Sequence, residues 1–244
     1  MSSQTTNLLL SSLSAESREF LMDASTAVPL PLRTSLYEPD ETPAFAYFVT
    51  SGIASVVTTV HDGGTAEVGL IGREGVVGAL HLLGPAPVPT SCFIQVAATG
   101  RRIPLPELRK AFQSSPEIRQ RILEFVQSEI LSLAQLAACQ RLHEAEERLA
   151  RWLLMAQDRM QSETLNFTQE FLAMMLGAQR TTVTAVAGSL QQSGLIEYRR
   201  GNVKILNREN LEAAACQCYQ ITKNLYHNLY KRSLTNGPGV NGRR

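Results

Sequence analysis

The sequence predicts an α+β fold, and three changes of texture along the chain carry that prediction. Short β-rich runs separated by turn residues fill the stretch from Val28 to about Ile103. A helical stretch opens at Pro116 with apolar residues on more than one face. Between Phe167 and Ile205, two short helical patterns are followed by a basic hairpin. In order, these read as an N-terminal β-roll (double-stranded β-helix or jelly roll), a long dimerisation helix and a C-terminal winged helix-turn-helix.

Composition limits the function classes. The chain has 244 residues, a hydrophobic content of 44% and a formal net charge of +1. That content supports packed cores, and the length allows one or two domains. With so little net charge, a nucleic-acid partner requires local placement of basic residues and doubling of contacts by dimerisation. No continuous apolar run reaches the ~18–20 residues of a membrane span. The N-terminus lacks the basic and apolar regions of a secretory signal. Cys92, Cys139, Cys216 and Cys218 are scattered and form no disulfide framework. The expectation is a cytoplasmic protein with no membrane partner.

Residues 1–12 read as polar and frayed, and Ser14–Met22 as a short helix capped by Ser14. The β runs are Phe45–Thr50, Ile53–Val60, Glu67–Ile71 and Cys92–Ala98, broken at Ser51-Gly52, Asp62-Gly63-Gly64 and Gly72. The proline-rich segment Gly84–Pro89 is a stiff loop. Leu105–Phe112 is a short helix. From Glu117 to about Ala138, one seam runs through Ile118, Ile122, Phe125, Ser132, Leu136 and Cys139. A second runs through Leu123, Val126, Ile130, Leu133 and Ala137. A helix apolar on two faces must bury both, so one covers the roll and the other meets a second copy of the chain. The residues assigned to dimerisation are Ile122, Phe125, Val126, Ile130, Leu133 and Leu136.

Gln140–Glu147 reads as a hinge, and Ala145–Met160 as a helix with Leu149, Trp152, Leu153 and Ala156 inward. Glu144, Glu146, Glu147, Arg148 and Arg151 read as its solvated, ion-paired face. Thr168 is a good N-cap for the next helix, whose apolar positions are Phe171, Leu172, Met175 and Leu176. Gly177 permits a tight turn. The second helix buries Val183, Val186, Ala187 and Leu190, and presents Gln179, Arg180, Thr181 and Thr184 outward. Such polar side chains suit a helix that reads base edges in a major groove. Leu195–Tyr198 and Asn202–Leu206 form a wing around Arg200-Gly201. Residues 208–230 read as a single closing helix beginning near Asn207 or Arg208, and Ser233–Arg244 as a disordered tail.

The chain resembles the Crp/Fnr family of bacterial transcription regulators over about residues 10–220. The resemblance rests on Leu149–Leu153 with Asp158-Arg159, and on Thr168–Leu195. In the roll it rests on Tyr47-Phe48-x-x-x-Gly52-x-x-Ser55-x-Val57 and Gly72-x-Glu74-Gly75-x-x-Gly78. Asn207-Arg208-x-x-Leu211-Glu212 and Ala215-Cys216-x-Cys218-Tyr219 resemble the tail of a sub-group. The implied units are a cyclic-nucleotide-binding-like roll at 10–115, a dimerisation helix at 116–140 and a Crp-type winged domain at 141–213. A closing helix at 214–232 and the tail at 233–244 complete the chain.

The resemblance implies a homodimer on a two-fold symmetric operator in double-stranded DNA, with RNA polymerase as a further partner. Arg180 matches the family's recognition-helix arginine. Thr181 stands where the family usually has glutamate, and Ala185 replaces another frequent arginine, so the family's usual half-site is not carried over. Thr168, Gln169 and Thr182 match backbone-contacting positions, and Arg199, Arg200 and Lys204 add charge there.

The family's cyclic-nucleotide sensors place a glutamate just after a glycine and an Arg-Ser or Arg-Thr pair further on. Here the first segment is Gly78-Ala79-Leu80 and the second is Pro87-Val88-Pro89-Thr90-Ser91, with no basic residue. The effector pocket at Gly78, Ala79, Leu80, Thr90 and Ser91 is therefore degenerate, and cyclic AMP is not the expected effector. An unknown small molecule takes that place. No cysteine precedes Cys92, against an iron–sulfur sensor. His61, His81 and His143 are isolated candidates for haem ligands, and a lone histidine is more often a surface or capping residue. Cys216 and Cys218 in a helix would face different sides, which favours packing over metal binding. No metal or cofactor is expected.

No nucleophile, zinc-protease or phosphate-loop motif occurs, so the chain does not read as an enzyme. The reading is a sequence-specific DNA-binding transcription regulator with an unknown effector. The alternative is a small-molecule or redox sensor acting mainly through protein–protein contacts.

Overall fold

The computed structural model describes residues 6–235 except 62, 161, 163 and 200, and only the main chain of 232–235. Arg200, Asp62 and residues 236–244 therefore lie outside the described residues. The N-terminal segment is not frayed from its sixth residue onward. Helix α1 spans Leu8–Ser11, and Leu9 and Leu10 are buried. Asn7 caps it and donates from its side chain to the carbonyls of Val49 and Gly75 at 2.9 and 2.8 Å. The three leucines after Asn7 gain a core by docking on the roll, which outweighs the polarity of their neighbours. Helix α2 is Ala15–Asp23, capped by Ser14 as expected.

The roll is built from β1 (Thr26–Leu30), β2 (Ser35–Tyr37), β3 (Phe45–Thr59), β4 (Thr65–Ile71), β5 (Val76–Val77) and β6 (Ser91–Pro104). Their order is β1-β6-β3-β4, with β2 also on β6 and β5 also on β3, all antiparallel. The sequence suggests a turn at Ser51-Gly52, but β3 runs through it. The chain is irregular there instead: the register against β6 shifts between Val49 and Ser51 and again between Ser51 and Ile53. Gly52 has φ +78, and a Cβ at this position would lie 2.5 Å from the Ala98 Cβ. Glycine thus marks a bulge with a close strand approach rather than a chain reversal. Phe48, Val49, Ile94, Ile103, Leu105 and Leu108 fill the roll core.

Helix α3 (Leu105–Ser114) leads to α4 (Pro116–Leu142), whose start is capped by Ser115. The helix therefore runs two residues beyond the expected end at 140. An 18-residue window of α4 has a mean hydropathy of 1.3, so by length and composition it could cross a membrane, a feature that a search for unbroken apolar runs passes over. The inward seam of α4 packs in the roll. Ile118, Ile122, Phe125 and Val126 all belong to its core cluster. This corrects the assignment of Ile122, Phe125 and Val126 to a dimer contact. Ile130 and Leu133 remain 58% and 46% exposed, joined by Leu123 at 44% and Leu131 at 47%. Leu136 is half-buried.

The break between α4 and α5 (Ala145–Met160) is narrow, confined to His143 and Glu144. Leu149, Trp152, Leu153 and Ala156 are buried as expected. Arg151 is not on a solvated face: it is 6% exposed. After α5 come β7 (Thr164–Asn166), α6 (Gln169–Leu176), α7 (Arg180–Gln192), β8 (Ile196–Arg199) and β9 (Asn202–Ile205). The closing segment is two helices, α8 (Arg208–Ala214) and α9 (Cys218–Thr235). Helix α9 begins later than the expected 214 and continues through Ser233–Thr235, where a disordered tail was expected.

The winged domain rests on the roll. Ile53 and Leu70 share one hydrophobic cluster with Trp152, Phe167, Leu172 and Met175. Two buried carboxylates tie α5 to the sheet. Trp152 Nε1 donates to Glu67 Oε1 at 2.8 Å, and Ser55 Oγ donates to Glu67 Oε2 at 2.7 Å. Arg159 Nε donates to Glu74 Oε1 at 2.7 Å, and Arg159 Nη2 donates to the Leu70 carbonyl at 3.2 Å.

Burial pushes the Glu67 carboxyl up to about 7, against the opposing effect of its two hydrogen bonds and of Arg151 and Arg159. A raised carboxyl pKa means that the folded chain holds a proton that the unfolded chain has released. The associated stability is full below the ordinary carboxylate range and is lost as pH rises through about 7. Thermal unfolding midpoints are therefore expected to fall between pH ~5 and ~8. Burial also pushes the Glu129 carboxyl up to about 7, so Glu67→Gln, which stays neutral, should lessen that slope and leave the part that Glu129 carries. An equal slope in the variant would place the titrating group elsewhere.

Candidate nucleic-acid interface

Helix α7 is positioned by its neighbours rather than by its own polar face. Thr168 Oγ1 accepts from the Phe171 amide at 3.2 Å and starts α6. Gly177 adopts φ +56, the left-handed conformation that lets α6 stop and the chain turn. Val183, Ala187 and Leu190 anchor α7 inward, with Val186 half-buried. Phe167 lies edge-on to Trp152 with ring centroids 4.7 Å apart and stacks on Phe171 at 5.3 Å. That aromatic layer links the α5–α6 corner to the junction with the roll.

The outer face of α7 agrees with the sequence. Gln179, Arg180, Thr181, Thr184 and Ala185 are exposed, and Thr182 is half-buried. Gln179 is the N-cap residue but makes no side-chain capping bond, so its amide group is not spent on the helix end. Thr184 Oγ1 donates to the Arg180 carbonyl at 2.9 Å, which leaves its lone pairs outward. Arg180 is paired with Glu170, both side chains being more than half exposed. Glu170 did not stand out in the sequence. Its position one residue into α6 faces the start of α7 only once the turn at Gly177 is made.

The wing pairs Arg199 with Asn202 and Glu197 with Lys204 across β8 and β9. Strand β7 adds a third member on the other side of β9, with Thr164 opposite Lys204. Its three residues are too few for an alternation signal. Arg199 and Lys204 are exposed, Thr168 is exposed and Gln169 is half-buried. Tyr198 braces the wing: its hydroxyl donates to the Phe167 carbonyl at 3.3 Å and its amide donates to Gln191 Oε1 at 2.8 Å. Arg208 fixes the domain's far side, donating to Asp158 Oδ1 at 2.7 Å and to the Tyr219 hydroxyl at 2.6 Å.

In the roll, Gly78 opens a 3-10 turn, Ala79–Leu82, in which Ala79 is buried and Leu80 exposed. Thr90 and Ser91 are half-buried, and Thr90 Oγ1 lies 3.2 Å from the Tyr37 hydroxyl. Tyr37 in turn meets the His81 ring edge-on at 5.0 Å. A cleft of about 470 Å³ opens beside them, lined by Asp40, Glu41, His81, Leu82 and Arg109 among others. Arg109 Nη2 donates to the His81 carbonyl at 2.7 Å. Burial lowers the His81 pKa.

The chain therefore combines an antiparallel β-roll with a winged helix-turn-helix, the construction of a transcription regulator. Residues 28–115 match the cyclic nucleotide-binding domain family, and residues 147–214 match the Crp-like helix-turn-helix domain family. With both halves in this order, the chain belongs to the Crp/Fnr family of transcription regulators. No curated protein sequence matches it. Solved structures share its fold. CLP of Xanthomonas campestris, described as a c-di-GMP responsive global regulator, is 21% identical with a TM-score of 0.66, over 79% of this chain and 99% of that one. A Crp/Fnr regulator from Eubacterium rectale is 16% identical with a TM-score of 0.68, over 84% and 96%. FixK2 from Bradyrhizobium japonicum is 17% identical with a TM-score of 0.67, over 79% and 98%.

Proposed function

We propose that this chain is a sequence-specific DNA-binding transcription regulator that acts as a homodimer on a two-fold symmetric operator. The exposed row Gln179, Arg180, Thr181 and Thr184 on α7, flanked by Arg199 and Lys204 on the wing, carries this reading. Arg180 reads a base edge, and its polar neighbours add hydrogen bonds in the major groove. Thr168, Gln169, Thr182, Arg199 and Lys204 hold the phosphate backbone. Such a protein works in the bacterial cytoplasm, where its DNA is. Selection from random DNA with the purified chain should enrich an inverted repeat whose half-sites lie one helical turn apart. Enrichment of no motif would sink the proposal.

The second copy covers the outward seam of α4. Leu123, Ile130 and Leu133 project from one protomer with much of their apolar surface in water. Leu133→Glu should shift the mass in light scattering from dimer to monomer and leave the protomer folded, since Leu133 packs little within its own chain. A stable dimer of this variant would move the interface elsewhere.

The effector we assign to the roll is a small molecule other than cyclic AMP or cyclic GMP. Ala79 supplies no carboxylate for a ribose, and Pro87–Ser91 supplies no cation for a cyclic phosphate. Isothermal titration should give no saturable heat with either nucleotide. Micromolar or tighter affinity for one of them would overturn this assignment.

A further inference from the structure

The two cysteines expected to face apart come together with two other ligands. Cys216 lies in the turn after α8, not within a helix, and Cys218 is the first residue of α9. Helix α4 carries Cys139 in its last turn and ends on His143 as its C-cap. These two are four residues apart, the spacing that puts side chains on one helix face. The sulfurs of Cys139, Cys216 and Cys218 and a ring nitrogen of His143 all lie within 4.8 Å of one another. Cys139 Sγ is 3.5 Å from Cys216 Sγ, and Cys218 Sγ is 3.4 Å from His143 Nδ1.

We propose that Cys139, His143, Cys216 and Cys218 bind one zinc ion, which fastens the end of α4 to the start of α9. Tetrahedral zinc with bonds of ~2.3 Å to sulfur and ~2.0 Å to nitrogen sets sulfur–sulfur edges near ~3.8 Å and sulfur–nitrogen edges near ~3.5 Å. The Cys139–Cys216 and Cys218–His143 separations sit close to those edges, and the remaining pairs, all within 4.8 Å, need to close by no more than about an ångström. A polynuclear iron–sulfur cluster sets ligands on different irons apart by the cluster's own width plus two metal–ligand bonds, wider than the 4.8 Å that spans this group. Three thiolates and one imidazole also form a soft donor set that favours zinc over magnesium or calcium.

The surroundings suit a metal with this charge. The three cysteines form a small buried cluster separate from the two main cores. As zinc binds, each thiol proton leaves to solvent and a sulfur–zinc bond takes its place. Three thiolates around a divalent ion leave one negative charge. The Arg151 guanidinium exerts a favourable charge effect on both Cys139 and Cys216. Arg151 is 6% exposed, and its Nε has no hydrogen-bond partner among the described residues. Gln135 Nε2 donates to Cys218 Sγ at 3.0 Å, an outer contact that orients this ligand. Because His143 borders the break between α4 and α5, the metal would hold the joint between the two halves.

The test is metal analysis of untagged, reduced protein by inductively coupled plasma mass spectrometry, with cobalt substitution. The expected result is one zinc per chain, and on cobalt exchange the visible bands of tetrahedral thiolate-bound cobalt. Cys139→Ser and Cys216→Ser should each lose most of the metal, and Cys92→Ser, in the roll, should keep it. Removing the metal should speed tryptic cleavage after Arg141. Wild-type protein that holds no zinc and gives no thiolate–cobalt bands would overturn the proposal. So would metal retained by both cysteine variants, or a Cys139–Cys216 disulfide in metal-free native protein.

Discussion

Arg180→Ala is expected to weaken operator binding by about 1–3 kcal/mol per half-site and to relax the base preference at one position of each half-site. The effect has two parts that experiment separates. On the proposed reading, the guanidinium on the exposed first turn of α7 would make two parallel hydrogen bonds to guanine O6 and N7, a pattern no other base pair offers in the major groove. Removing it costs affinity for the right sequence more than for wrong ones. In the free protein the same guanidinium is paired with Glu170, but both groups are more than half exposed, and such pairs contribute about 0–1 kcal/mol. Such a pair is weak enough for a DNA contact to displace the carboxylate, as the proposed reading requires. Lys204→Ala supplies the contrast, since a phosphate contact should weaken all sequences alike and flatten the salt dependence. Fluorescence anisotropy on matched operator and scrambled duplexes reads both. An unchanged preferred motif in Arg180→Ala would show that another face of α7 does the reading.

Arg159→Ala is expected to destabilise the fold by about 3–5 kcal/mol, the cost of stranding a buried charge. Its side chain and that of Glu74 are only 6% and 8% exposed. Without Arg159, Glu74 keeps one amide hydrogen bond, from Gly72 at 3.0 Å, and loses its countercharge. The Leu70 carbonyl also loses a donor, and the Tyr226 ring loses the guanidinium 5.2 Å from its centroid. The double variant Arg159→Met, Glu74→Gln should recover much of the stability, because it removes both charges and keeps the volume. Denaturant melts of the three variants against wild type decide it. A cost below about 1 kcal/mol for Arg159→Ala would mean that water reaches Glu74.

The order of elements was legible because each half writes its own period into the chain. Thr168, Gly177 and the triad Val183, Ala187 and Leu190 predict the helix-turn-helix correctly because capping, turn and burial there are local effects. What failed to show depends on partners distant in sequence. Leu9 and Leu10 are buried only because the roll offers them a surface. The seam through Ile122 and Phe125 and the seam through Ile130 and Leu133 carry similar residues. Only packing decides that the first pair turns inward. Glu74 and Arg159 both stood in recognisable motifs, but 85 positions separate them, and charge alone does not say which acid meets which base. The same holds for Cys139 and Cys216, 77 positions apart, which approach because the chain breaks at Ala215–Gln217 instead of continuing one helix.

The chain has one tryptophan, and it is placed where the two halves meet. Trp152 touches the roll through Glu67 and the winged domain through Phe167. Its indole is 2% exposed, so any separation of the halves must bring water to it and shift its emission to longer wavelength. The protein thus carries its own optical gauge. A library of metabolites can be screened on unlabelled protein for compounds that move this signal, so the proposed effector can be sought by its effect on one side chain before the proposed operator is known.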